Sequence, residues 1–130
     1  MSVDATSALA IAFGAALGAL SRWLLTIALA PMSGHIPLGT LAANLIGGLL
    51  MGIVIAVLPS FPNLPVPVQL ALTTGFLGGL TTFSAFSGET VGLMLRGHWL
   101  WSAAIVVVHV AGSLFATLLG VALVRVVART

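Results

Sequence analysis

The sequence predicts an all-α membrane protein: four transmembrane helices per subunit, the third broken near its middle, paired as an antiparallel, dual-topology homodimer. Three observations carry that expectation. Hydrophobic residues make up 60% of the 130-residue chain and charged residues only 5%, whereas a soluble domain carries about 25% charged residues. So few charges cannot clothe a water-facing surface. The apolar residues gather into runs of the roughly 20 residues that a helix needs to cross the hydrocarbon core. Finally, the basic residues barely favour one side of the membrane over the other.

The first run spans residues 7–30 and stops at Pro31; the second spans 38–58 and is closed by Pro59. The third covers 67–95 and the fourth 99–127, all within one transmembrane domain, residues 1–130. The connections PMSGHIP, PSFPNLPVP and RGHW are short and rich in Pro, Gly or Ser, as turns require. Trp99 and Trp101, beside Arg96 and His98, form an interfacial belt. The N-terminal MSVDATSALA lacks the basic segment of a signal peptide, and the run behind it is long enough to stay as a span. The absence of cysteine excludes disulfides and thiol chemistry. An isoelectric point near 11.5 would hint at nucleic acid. That partner is rejected, because four scattered arginines and no lysine make no basic patch.

Charge placement argues for the dimer. With four spans, Arg125 and Arg129 fall on the side of the N-terminus, while Arg96 and Arg22 belong to the other. The positive-inside bias that fixes orientation is therefore nearly absent. Transport folds commonly pair inverted repeats around a central site, and two copies inserted in opposite senses make such a pair from one sequence. The competing reading is a single orientation fixed by other cellular factors.

Polar groups at membrane depth need a partner or a task. Thr40 and Asn44 lie four residues apart in the second span, on a row that Gly48 and Gly52 continue. His109, Ser113 and Thr117 make a similar stripe in the fourth, beside the small row Gly112, Ala116 and Gly120. Both sets read either as interhelical glue with close packing or as the lining of a path; His109 by itself reads as a hydrogen-bonded wall residue, with a proton relay as the competing role. Arg22 shares a face with Gly14 and Gly18, within snorkelling reach of the interface. It reads as an anchor, with capping of a neighbouring helix or attraction of anions as the other roles. Glu89 is the one carboxylate well inside an apolar run.

The third run changes character at GGLTTFSAF, residues 78–86. Gly78 and Gly79 followed by Thr81 and Thr82 predict a helix break, tolerated at that depth only when buried in protein or lining a wet cavity. A break frees carbonyls, which suit a hard cation, and amides and hydroxyls, which suit an anion. Phe83 and Phe86 follow on one face, and phenyl edges carry positive quadrupole density. As core residues they would need no such role; beside the break, among Thr82 and Ser84, their edges can host an anion.

These residues resemble a known family. GFLGGLTTFSAFSGE, residues 75–89, is similar to the signature of the Fluc (CrcB) fluoride channels; GALSRW, 18–23, and PLGTLAANLIGG, 37–48, resemble its first- and second-span motifs. The resemblance covers nearly the whole chain and implies a bacterial inner-membrane channel, not an enzyme. It further implies a dual-topology homodimer with two antiparallel pores for passive fluoride efflux. A central, non-transported Na+ would sit on the carbonyls of Gly78 and Thr81 in both subunits, where the third helix breaks. Phe83 and Phe86 match the phenylalanines whose edges meet fluoride, and Asn44 the pore-lining asparagine. Ser113 and Thr117 match the polar track of the fourth helix and Glu89 a carboxyl-bearing position beside the pore; Thr82 and Ser84 read as further hydroxyls for the anion path, and Arg22, Gly48 and Gly79 read as structural. Ala85 stands where many relatives carry a hydroxyl, which removes one donor. Fluoride is strongly hydrated, so a pore must replace water with donors yet release the ion; no Lys or Arg at the pore centre opposes that release. A four-span proton-coupled multidrug transporter would be expected to carry a carboxylate in its first span, which this chain lacks. A purely structural subunit leaves the hydroxyl clusters unexplained.

Overall fold

The computed structural model describes residues 4–129, which form helices and turns with no β-strand among the described residues. Helix α1 covers Ala5–Leu29 and α2 covers Leu38–Val57. The third span is composite: α3, Val66–Leu70, runs through a π-helical segment, Ala71–Leu77, into the short α4, Gly78–Leu80. After a gap at Thr81 and Thr82, α5 covers Phe83–Leu95; α6 covers Trp99–Val127. Among the described residues, four stretches are long and apolar enough to cross a membrane: Ala5–Met32, Leu38–Ser60, Val66–Leu95 and Trp99–Val127.

Local chemistry sets the ends. Asp4 caps α1: its Oδ1 accepts from the Ser7 amide and its Oδ2 from the Ser7 hydroxyl, each at 2.7 Å. Those bonds favour the carboxylate and hold the Asp4 carboxyl below its usual range. A depressed folded-state pKa means the cap contributes fully above the ordinary aspartate pKa and is lost as pH falls through the depressed value. The first turn of α1 is therefore expected to fray on acidification. Faster amide exchange at Ser7 below the ordinary aspartate range, absent in Asp4→Asn, would show it.

Pro31 and Pro59 sit in short 3₁₀ turns that end the first two spans. The Ser33 hydroxyl then links them, donating to the Leu29 carbonyl at 3.0 Å and accepting from the Leu38 amide at 3.1 Å. α5 ends in a Schellman motif: the Gly97 amide donates to Met94 and the His98 amide to Leu93, both at 2.9 Å. Gly97 takes the positive φ of 78° that this turn requires.

α2 lies along α6, α1 lies along the first half of the third span, and α5 rests on α6. The glycine rows permit the first two contacts. A Cβ on Gly120 would stand 2.3 Å from the Leu49 carbonyl oxygen, and one on Gly18 would stand 2.1 Å from that of Phe76. Backbones therefore meet with no side chain between them, the small-residue mode of helix association in membranes. The apolar core is small, with Phe86, Leu93 and Ile105 buried together. Large apolar side chains such as Phe13, Trp23, Leu100 and Leu118 are exposed all around the bundle. That surface suits lipid or a second subunit, and its sparse core is what a bilayer-embedded chain needs.

Candidate functional site

The third span breaks later than the glycines imply. Gly78 and Gly79 remain helical, and the interruption is the extended pair Thr81 (φ −85°, ψ 153°) and Thr82 (φ −151°, ψ 120°). Gly79 serves packing instead: a Cβ there would lie 2.5 Å from the Ala15 carbonyl oxygen on α1. The last helical bond runs from the Thr81 amide to the Leu77 carbonyl, 3.0 Å. In a continuous helix the Thr82 amide would next donate to Gly78. It donates instead to Asn44 Oδ1, at 2.8 Å.

Asn44 thus makes the break. Its Nδ2 also donates to the Thr82 carbonyl, 3.1 Å, so one side-chain amide satisfies both backbone groups of Thr82. The same Nδ2 lies 3.1 Å from Nδ1 of His109. Two other contacts complete the ends. Arg22 Nε donates to the Gly79 carbonyl at 3.2 Å, capping the first half-helix. The Thr82 hydroxyl accepts from the Ala85 amide at 3.1 Å, capping the second. The Gly78 carbonyl is released from its helical partner, and the first amides of α5 have none within the helix.

A cavity of about 500 Å³ opens at this break. Asn44, Gly48, Ser113 and Thr117 form its wall on α2 and α6. Gly78, Thr81, Thr82, Phe83 and Phe86 form the wall on the third span. Among the described residues no charged side chain lines it. The two phenyl rings meet edge to face, centroids 5.4 Å apart at 66°. Phe86 is buried and stacks on His109, centroids 4.8 Å apart, while Phe83 is 76% exposed. Ser84 stands on the exposed side, its hydroxyl 3.2 Å from that of Thr82. Gly48 lets the stripe on α6 come close: its Cβ would sit 2.9 Å from the Ser113 carbonyl oxygen.

Glu89 and Arg22 lie outside the cavity lining. The Thr40 hydroxyl donates to Glu89 Oε1, one turn along α2 from Asn44. Oε2 of Glu89 is buried and unpartnered among the described residues. No cluster of three His, Cys, Asp or Glu side chains fit to hold a metal occurs among the described residues. The pairing of the Asn44 side chain with Thr82, and the place of His109 behind it, lay beyond sequence reasoning. The available signal was the shared spacing of Thr40 with Asn44 and of His109 with Ser113 and Thr117.

Fold and site together define a multi-pass membrane protein with an interrupted third span and a wet-sized, uncharged cavity at the interruption. The chain belongs to the CrcB-like protein (camphor resistance) family, whose pattern it matches over residues 9–121. It is 49% identical over 124 residues to the fluoride-specific ion channel FluC of Tolumonas auensis, covering 95% of this chain and 98% of that one. It is 54% identical to FluC of Aromatoleum aromaticum, covering 88% and 87% of the two chains, and 51% identical to FluC of Pseudomonas aeruginosa, covering 88% and 90%.

Proposed function

We propose that this chain is a fluoride channel of the bacterial inner membrane, working as an antiparallel homodimer with two pores and giving passive efflux. The observation that carries the reading is the uncharged cavity that two phenyl rings, Ser113 and the Asn44-held break line together. Close kinship to channels named for fluoride supports the choice of ion. The chemistry agrees: neutral donors and ring edges replace water around a small anion, and no cationic side chain traps it. Arg22 is turned to the Gly79 carbonyl instead. Phe83, exposed on one subunit, suits a site closed by a second copy.

The residues at the break also fit the structural Na+ of this reading. Gly78 offers a carbonyl released by the Asn44 contact, and an added Cβ there would meet only the Thr73 carbonyl oxygen, at 3.8 Å. Thr81, in extended backbone, offers a second carbonyl outside the helical ladder. Neutral hard oxygens from both subunits would hold the cation at the negative ends of their carbonyl dipoles. Its contribution is cohesion across the dimer axis.

The hydroxyls of α6 divide the work. Thr117 donates to the Ser113 carbonyl at 2.9 Å, so its proton is engaged by its own helix. The Ser113 hydroxyl makes no hydrogen bond among the described residues and lines the cavity. Ser113→Ala is therefore expected to slow fluoride flux by about tenfold, the worth of one hydrogen bond to an ion. Thr117→Val should slow it by less than about threefold. Efflux rates from reconstituted liposomes compare the two, and equal losses would refute the division.

The reading itself is tested by fluoride release from liposomes under a fluoride gradient, with no proton gradient. Release that Phe83→Ile suppresses is the expected result; silent liposomes, or drug–proton exchange, would overturn it.

A further inference from the structure

His109 sits behind the break, 4% exposed, and its ring forms part of the cavity wall. Its protonation pattern follows from the bonds around it. A backbone amide can only donate, so the Thr82 N–H fixes Oδ1 as the Asn44 atom that it meets. Nδ2, a donor only, is therefore the Asn44 atom that faces both the Thr82 carbonyl and His109 Nδ1. Nδ1 must accept, and a neutral imidazole that accepts at Nδ1 carries its proton on Nε2. A cationic ring would set an N–H on Nδ1 against the N–H of Asn44, so the break and a charged His109 exclude each other.

That leaves a donor without an acceptor. Nε2 is buried and has no hydrogen-bond partner among the described residues. It does not donate to Glu89, whose Oε2 is likewise unpartnered. A buried N–H left unpaired is costly, and this one belongs to a ring that lines a cavity and stacks on Phe86.

We propose that His109 is a specificity-determining residue of the pore, a neutral donor locked in one tautomer by Asn44, whose Nε2–H bonds the permeating anion. The inference rests on the channel reading above. A neutral N–H can replace one water of a fluoride ion without adding the charge that would hold it. Asn44 thereby serves twice, pinning Thr82 and preventing His109 from becoming a cationic trap.

Two substitutions separate the donor from the support that the ring gives Asn44. His109→Asn keeps an acceptor near the Nδ1 position and removes the Nε2–H. His109→Gln places an amide donor near the Nε2 position and gives up the δ acceptor. Fluoride flux is expected to fall by about tenfold or more in His109→Asn, with the larger part regained in His109→Gln. The reverse order would overturn the proposal, because only support of Asn44 would then matter. Imidazole ¹⁵N spectra of the intact protein in lipid give a readout that needs no variant to fold. They should show His109 neutral with its proton on Nε2, and that proton should shift on adding sodium fluoride but not sodium chloride. An Nδ1–H tautomer, an imidazolium, or an Nε2–H indifferent to fluoride would each defeat it. Parent protein that carries no fluoride at all would instead defeat the channel reading, which keeps the two failures apart.

Discussion

Asn44→Ala is expected to slow fluoride flux by about a hundredfold. The substitution removes the partner of the Thr82 amide, the partner of the Thr82 carbonyl and the donor facing His109 in one step. Stranding a buried backbone group costs about 1–3 kcal/mol, so two of them put the loss near 3 kcal/mol, or about two orders of magnitude in a rate or an equilibrium. The chain has one way to limit that cost: Thr82 can return its amide to the Gly78 carbonyl and continue the helix. That would draw back the very carbonyl proposed to hold Na+ and swing Thr82 and Phe83 out of register. Liposome efflux measures the first consequence and slower amide exchange at Thr82 the second. Asn44→Asp should fall between, since a carboxylate accepts from the Thr82 amide but cannot donate to its carbonyl. Flux near the parent rate in Asn44→Ala would mean that the break is held by something else.

The second large effect belongs to Phe86. Its ring is buried, meets Phe83 edge to face, stacks on His109 and belongs to the core with Leu93 and Ile105. Phe86→Ala should cost about 3–5 kcal/mol of stability, as such truncations do. Phe86→Ile keeps much of the bulk and removes the ring edge. It should therefore leave a folded protein that passes fluoride at least about tenfold more slowly, if the edge is worth a hydrogen bond to an ion. Measuring folded yield and flux for both variants separates packing from ion contact. If Phe86→Ile conducts normally, the ring contributes only packing.

Much of the architecture was legible because the bilayer imposes it. A chain with 5% charge and long apolar runs closed by Pro31 and Pro59 has few options other than spanning helices. Gly52 and Gly120 announced close backbone contacts because small residues spaced along an apolar helix have little other use there. The place of the break was less legible. Gly78 and Gly79 are weak helix formers, yet helix persists through both. Gly79 permits close approach to α1, whereas the ladder ends where Asn44 captures the Thr82 amide. Arg22 could be read as an anchor, a cap or an anion lure; its bond to the Gly79 carbonyl makes it a cap. These outcomes depend on which residues of distant spans come to face one another. Intrinsic propensity is summed along one chain segment and carries no such information. For the same reason Ser113 and Thr117 looked alike, and only the bond from Thr117 to its own helix tells them apart.

The capture of Thr82 by Asn44 means that the interruption is not a property of the segment that contains it. Thr81 and Thr82 have no proline between them and no positive φ, so nothing local forbids them a helix. A peptide comprising residues 66–95, placed alone in a bilayer, should heal into one unbroken rod. The same segment is expected to become two half-helices only once the second span docks beside it. On that expectation the site does not precede the tertiary structure in the maturing protein but is created by it. One amide side chain, thirty-eight positions away in sequence, acts as a switch between a plain membrane anchor and a pore.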